Sequence, residues 1–291
     1  MTQQAPLIGE GETLGVIGAG VMGRTLLSGL FESGVLARDR AWAAASSERS
    51  CQTASEQLAI PVVTDFRSRI AESGLILLCV KPKQTARVIA SLKEGGLRRD
   101  TLLISIMAGV TIGQLESGLG TANPWIRAMP NTPCIVREGI TVICPGARAN
   151  PEHMARATRV FEAVGRCLPA DESYFNAITA LSGSGPAYQY LIMEALADAG
   201  VRVGLPRDFA LTLVAQTAVG AARMVQETGR HPAALRDDVT TPAGCTIAGL
   251  LMLEDGKIRS VLARAIEEAT KTAAGLGTAA AKTGLPHGSS D

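Results

Sequence analysis

The sequence predicts an α/β fold followed by an all-helical region, and three observations lead there. A glycine-patterned turn joins a short apolar strand to a helix near the N-terminus. Strand-like and helix-like runs then alternate to about residue 170. From residue 171 onward only helical patterns remain. Alternation implies a sheet built by parallel crossovers, whereas an unbroken helical stretch implies a second packing unit. At 291 residues the chain has room for two such domains.

The first element is the apolar strand Leu14–Ile17, and the turn after it spaces Gly18, Gly20 and Gly23 as G-x-G-x-x-G before a helix carrying Leu26, Leu27 and Leu30. In that strand-turn-helix context each glycine has its own role. Gly18 permits the tight turn, Gly20 lets a pyrophosphate approach the backbone, and Gly23 lets the helix lie close to the strand. An anion then meets free N–H groups and the positive end of the helix dipole. The stretch Gly18, Ala19, Gly20, Val21, Met22 and Gly23 thus predicts a Rossmann dinucleotide-binding domain.

Further strands follow at Ala41–Ala45, Leu75–Val80, Leu102–Ile106, Trp125–Ala128 and Ile140–Ile143, with helical patterns between most of them. Leu75-Ile76-Leu77-Leu78-Cys79-Val80 lacks polar alternation, as expected of a strand covered on both faces. A helix over Pro151–Val164 and a short strand over Arg166–Leu168 close the sheet. The second strand ends in Ala45-Ser46-Ser47-Glu48-Arg49. An NAD site usually holds a carboxylate there for the ribose hydroxyls. Ser46 and Ser47 stand in its place, and Arg49 is near enough to pair with a phosphate. The reading is NADPH, with NADH tolerated. Glu48 complicates it, and Ser47 also suits a helix N-cap.

The helical region contains Gly185–Ala199, Arg207–Glu227 and Lys257–Leu276, rich in Ala and Leu. Several of these segments are apolar on more than one face, more than five or six helices bury among themselves. That predicts packing against a second copy of the same domain. The expected layout is a Rossmann domain over 1–170, a helical dimerisation and substrate domain over 171–277, and a disordered tail over 278–291.

Composition excludes other classes. A net charge of +1 offers nothing to nucleic acid or an anionic membrane. The sequence has no run of about 18 apolar residues and no secretory signal, so neither a membrane span nor export is expected. The six cysteines, Cys51, Cys79, Cys134, Cys144, Cys167 and Cys245, are scattered, which argues against a metal site or a disulfide framework and for a reducing cytoplasm.

Four further segments matter together: Val80-Lys81-Pro82, Arg127-Ala128-Met129-Pro130-Asn131-Thr132-Pro133, Leu181-Ser182-Gly183-Ser184-Gly185-Pro186-Ala187, and the stretch from Val239 to Leu250. With the glycine turn, they make the chain resemble the pyrroline-5-carboxylate reductase family from about Leu14 to Gly277. The resemblance implies reduction of 1-pyrroline-5-carboxylate to L-proline by NADPH, and dimers able to assemble into a pentamer of dimers. It implies that Val80, Lys81, Pro82, Met129, Pro130 and Asn131 line the nicotinamide end of the cofactor. It also implies that the substrate carboxylate meets the Thr241 hydroxyl and the N–H groups of Gly244 and Cys245, and that Thr246 hydrogen-bonds the ring nitrogen as the catalytic contact. On this reading the substrate pocket lies between the two domains.

The residue chemistry fits that assignment. Ligands of open α/β sheets bind at the C-terminal ends of strands. Asn131 offers donors and acceptors suited to a carboxamide. Gly244-Cys245-Thr246 can open a helix whose N-terminus favours a carboxylate. None of His153, His231 and His287 lies in a segment placed at the site. The usual family loop reads Ser-Pro-Gly-Gly-Thr/Ala-Thr. Here Thr241 replaces Ser and Ala243 replaces the first Gly, so a left-handed backbone at Ala243 would carry a cost. Those two changes leave another cyclic imino acid, such as piperideine carboxylate, as the alternative substrate. A β-hydroxyacid dehydrogenase is disfavoured because Arg207–Glu227 holds no lysine. A non-catalytic NADPH sensor would need neither Thr241 nor Thr246.

Overall fold

The computed structural model describes residues 6–281. Its strands are β1 (Thr13–Ile17), β2 (Ala41–Ala44), β3 (Val62–Val63), β4 (Ser73–Leu78), β5 (Leu102–Ser105), β6 (Trp125–Met129), β7 (Gly139–Pro145) and β8 (Gly165–Pro169). They form one sheet in the order β3-β2-β1-β4-β5-β6-β7-β8. The helices α1 (Val21–Glu32), α2 (Glu48–Leu58), α3 (Arg67–Ile70), α4 (Thr85–Glu94), α5 (Ile112–Leu119) and α6 (Pro151–Glu162) connect them. Strand alternation sends Leu14, Val16, Leu75 and Leu77 into one apolar layer. It sends Ile17, Ile76, Leu78 and Trp42 into the other. Both faces are covered, which is why β4 reads as a continuous apolar run.

The expectation of parallel pairing holds from β3 to β6 and fails at the next strand. β7 runs antiparallel to β6, and β8 is parallel to β7. The link from Met129 to Gly139 contains only a 3₁₀ turn, Thr132–Val136. A parallel crossover needs about a dozen residues or more, so the chain turns back instead. The two-residue β3 carried no signal long enough to read.

Two compact units are present: one extends to Ser184 and takes in the chain from Ala269, and the other is Gly185–Glu268. Within the first unit, a short helix α7 (Phe175–Ile178) passes into a π-helical turn, Thr179–Gly183. This segment is tied down by Glu172, which accepts the Arg127 guanidinium and the Ile112 N–H, both at 2.8 Å. Arg127 is buried and its guanidinium lies over the Phe175 ring. The first unit therefore continues past the boundary expected at residue 170.

The second unit contains α8 (Gly185–Arg202), α9 (Arg207–Thr228), α10 (Pro232–Asp238), α11 (Cys245–Asp255) and the first part of α12 (Ile258–Ala281). Only Ala197 and Ala210 of this unit are buried, while Leu191, Phe209, Leu251 and Met252 are half-exposed or more. One copy cannot cover these helices, which is the property expected of a dimerisation domain. The last helix reaches Ala281, into the segment expected to be a disordered tail; residues 282–291, with His287, lie outside the described residues.

Candidate functional site

The sheet order reverses between β1 and β4, and a cleft of about 380 Å³ opens there at the C-terminal ends of the strands. In open α/β sheets this is where ligands bind. Gly18, Ala19 and Gly20 form its floor, with Cys79, Val80 and Lys81 beside them. Gly18 has φ +110°, and a Cβ there would sit 2.5 Å from the Cys79 carbonyl oxygen. The N–H groups of Gly18 and Ala19 both donate to the Ala44 carbonyl, at 3.0 and 2.8 Å, which pins the turn to the end of β2. A Cβ on Gly20 would meet nothing within 4 Å. Gly20 is the N-cap of α1 and has no side-chain cap, so the first helical N–H groups face the open side of the turn. A Cβ on Gly23 would collide with the Gly18 carbonyl oxygen. This is the backbone geometry that the three inferred roles require.

The residues named at the end of β2 divide between two places in the structure. Ser46 and Ser50 line the cleft. Ser47 instead caps α2, accepting the Ser50 N–H at 3.3 Å while donating its hydroxyl to Ser50 Oγ at 3.0 Å. Arg49 lines a separate depression with Glu48, Gln52 and Glu56. Glu48 accepts the Thr64 hydroxyl at 3.3 Å. Lys83 and Arg87 line the same cleft as Ser46 and Ser50, and sequence reading did not single them out; the K-P-K-Q-T-A-R run after β4 was the available signal. Three cations and no carboxylate line the cleft. An open glycine floor and cationic walls suit a dinucleotide phosphate.

At the end of β6, Met129, Pro130 and Asn131 are buried. The Asn131 amide is engaged internally: Nδ2 donates to the Ser182 carbonyl at 3.2 Å, and Oδ1 accepts the Ile140 N–H at 2.9 Å. It fastens the end of β6 to the π turn and to β7. Two thiols close to these elements, Cys144 buried and Cys79 partly buried, hold their protons. Burial pushes Cys79 and Cys144 up to about 12, with the Glu172 charge adding to the effect at Cys144.

In the helical unit, the stretch from Thr241 to Thr246 turns into α11. Gly244 is its N-cap, and the Gly244 N–H donates to the Thr241 carbonyl at 3.1 Å. That donor is therefore already used, which leaves the N–H groups of Cys245 and Thr246 in the first turn of α11. The hydroxyls of Thr241 and Thr246 have no hydrogen-bond partner among the described residues, and both residues are at least partly accessible. Ala243 has φ +57°, the left-handed conformation that favours glycine. His153 and His231 are both engaged at helix starts, accepting through Nδ1 from Asn150 and Ala233 N–H groups.

Comparison with known proteins covers the chain almost end to end. A family model described as pyrroline-5-carboxylate reductase dimerisation matches residues 172–276. A second, NADP oxidoreductase coenzyme F420-dependent, matches residues 13–109. The chain is 41% identical to a pyrroline-5-carboxylate reductase of Arabidopsis thaliana, over 91% of this chain and 96% of that protein. Among solved structures, a Coxiella burnetii pyrroline-5-carboxylate reductase aligns with TM-score 0.85 at 34% identity, covering 92% of this chain and 99% of that one. A Plasmodium falciparum pyrroline carboxylate reductase, solved with NADP bound, aligns with TM-score 0.82 at 30% identity and the same coverage.

Proposed function

This chain belongs to the pyrroline-5-carboxylate reductase family, and from that premise we propose how its residues carry the reduction of 1-pyrroline-5-carboxylate to L-proline with NADPH. It is an NADP-dependent oxidoreductase of proline biosynthesis. The observation that carries the residue assignment is that one chain holds both a glycine-floored, cation-lined cleft and, in its other unit, a helix-opening threonine loop, and is related to these reductases over 91% of its length.

Gly18, Ala19, Gly20, Val21, Met22 and Gly23 hold the cofactor pyrophosphate. Val80, Lys81 and Pro82 after β4, with Met129 and Pro130 after β6, border the nicotinamide end. Asn131 acts there chiefly by fixing the end of β6, because its amide is engaged by Ser182 and Ile140. Ser46 lies at the adenosine end. NADPH, when bound, supplies the hydride.

The substrate carboxylate is held by the Thr241 hydroxyl and the N–H groups of Cys245 and Thr246, with the dipole of α11 favouring the anion. Gly244 shapes this turn, its own N–H being taken by Thr241. Thr246 hydrogen-bonds the ring nitrogen and orients the imine. A hydroxyl is a weak acid, so Thr246 positions the nitrogen while water delivers its proton; the ring carbon gains the hydride. The chain's work is position and electrostatics. The helical unit is a dimerisation domain. We extend this to dimers that close into a pentamer of dimers, and place the enzyme in the cytoplasm, where its unpaired cysteines stay reduced.

The test is oxidation of NADPH by the purified protein with pyrroline-5-carboxylate, and with piperideine carboxylate in parallel. The five-membered ring is expected to react faster. A preference for the six-membered ring would move the assignment to that imine. Thr246→Ala is expected to lower kcat/KM by about 10- to 100-fold, the loss of one hydrogen bond to a charged group, with NADPH affinity unchanged. Full kcat/KM in that variant would refute its role.

A further inference from the structure

We propose that Arg87, supported by Lys83, selects NADPH over NADH by pairing with the 2′-phosphate of the adenosine ribose, and that Arg49 does not. The proposal rests on the reading that the cleft between β1 and β4 holds the cofactor.

A ribose in this fold is met at the end of β2, where the structure places Ser46 and, one helical turn on, Ser50. Ser50 Oγ accepts a hydrogen bond from Ser47, which leaves its own hydroxyl proton to donate outward. Two hydroxyl donors cannot balance a phosphate carrying about −1.5 to −2 charge. A cation is needed, and the obvious one is turned away. Arg49 and Ser50 are consecutive on α2, so their side chains point about 100° apart. Ser50 lines the cleft and Arg49 lines the neighbouring depression beside Glu48 and Glu56.

The cations that line the same cleft as Ser46 and Ser50 come from the segment after β4. Lys83 lies in the 3₁₀ turn after β4 and Arg87 in the first turn of α4. Neither makes an ion pair or a side-chain hydrogen bond among the described residues. Arg67, on α3, is by contrast committed to Asp65 and Glu94. No carboxylate lines the cleft to compete for Arg87. Glu48, on α2, lines the neighbouring depression instead and accepts the Thr64 hydroxyl. An unpaired guanidinium lining the same cleft as two hydroxyl donors, with no carboxylate in that lining, is a site for a phosphate that a fork can grip.

The experiment measures dissociation constants of NADPH, NADH and 2′,5′-ADP for the full-length protein by calorimetry, in wild type, Arg87→Ala, Arg87→Lys, Lys83→Ala and Arg49→Ala. Arg87→Ala is expected to weaken NADPH and 2′,5′-ADP by about 10- to 100-fold, the loss of charge-assisted hydrogen bonds, and to leave NADH within about twofold. Arg87→Lys restores part of the loss, Lys83→Ala gives a smaller loss of the same selectivity, and Arg49→Ala leaves the NADPH-to-NADH ratio unchanged. Equal losses for NADPH and NADH in Arg87→Ala, or a selective loss in Arg49→Ala instead, would overturn the assignment while the cleft reading stood. Wild-type protein that binds neither dinucleotide would remove the cleft reading and the assignment together.

Discussion

Replacing Gly20 with alanine should separate binding from stability, and replacing Gly18 should not. Gly20 has φ −76°, open to any L residue, and an added Cβ meets nothing within 4 Å. Folding therefore loses nothing, and the stiffer unfolded chain makes Gly20→Ala more stable by about 0.4–1 kcal/mol. The same methyl stands at the helix N-terminus, which we propose the pyrophosphate approaches. Displacing one charge-assisted hydrogen bond there costs about 1.5–3 kcal/mol, or roughly 10- to 100-fold in NADPH affinity. Gly18 is different, with φ +110° and a Cβ position 2.5 Å from the Cys79 oxygen and 3.0 Å from the Val80 nitrogen. Those neighbours are backbone and cannot rotate aside. Strain and displacement together cost about 2–5 kcal/mol, which lowers Tm by roughly 5–15 °C. The assay is calorimetric NADPH binding with thermal unfolding of the unliganded protein. If Gly20→Ala bound NADPH like wild type, the pyrophosphate would not cross Gly20 and the cradle would be misread. If it unfolded as early as Gly18→Ala, the open space above Gly20 would be wrong.

The remaining predictions concern packing, the loop and titration. Glu172→Ala strips a buried Arg127 of its partner and the Ile112 N–H of its acceptor; Glu172 is itself one-third exposed, so a loss of about 2–3 kcal/mol is expected in denaturant unfolding, and a loss under 0.5 kcal/mol would dismiss the pair as an anchor. Ala243→Gly relieves a left-handed Cβ of about 1 kcal/mol but frees the unfolded chain by a similar amount, so Tm holds within about 2 °C. Ala243→Val, bulkier at the same φ, should lower kcat/KM for pyrroline-5-carboxylate, and an unchanged value would show that the loop tolerates strain. Burial raises Cys79 and Cys144 to about 12 and Cys167 to about 11, so the folded state holds protons that the unfolded state releases near 9. Their contribution is complete below pH 9 and disappears as pH rises toward 12, so Tm should fall with rising pH across that window. A flat profile there would refute the desolvation of these thiols.

The sequence by itself determined those features that depend on local pattern. Glycine spacing after an apolar strand specifies a backbone that must turn tightly, stay open and pack closely, and Gly18, Gly20 and Gly23 do those three things in turn. Unbroken apolar runs identified strands covered on both faces, and helices apolar all round identified a domain that needs a second copy. Tertiary structure decided what depends on direction. Whether Arg49 or Ser50 faces the cleft is a rotation of about 100° on one helix, invisible in a list of residues. Lys83 and Arg87 share a cleft with Ser46 and Ser50 only because β1, with β4 and β2 on either side of it, brings those segments to one end of the sheet. The amide of Asn131 is taken by Ser182 and Ile140, partners that chain folding alone brings near. β7 reverses because the link before it is too short for a crossover, and Ala243 takes a left-handed backbone just before Gly244 caps α11. Local pattern names the parts of a site, but which side chains face a ligand follows from how the elements pack.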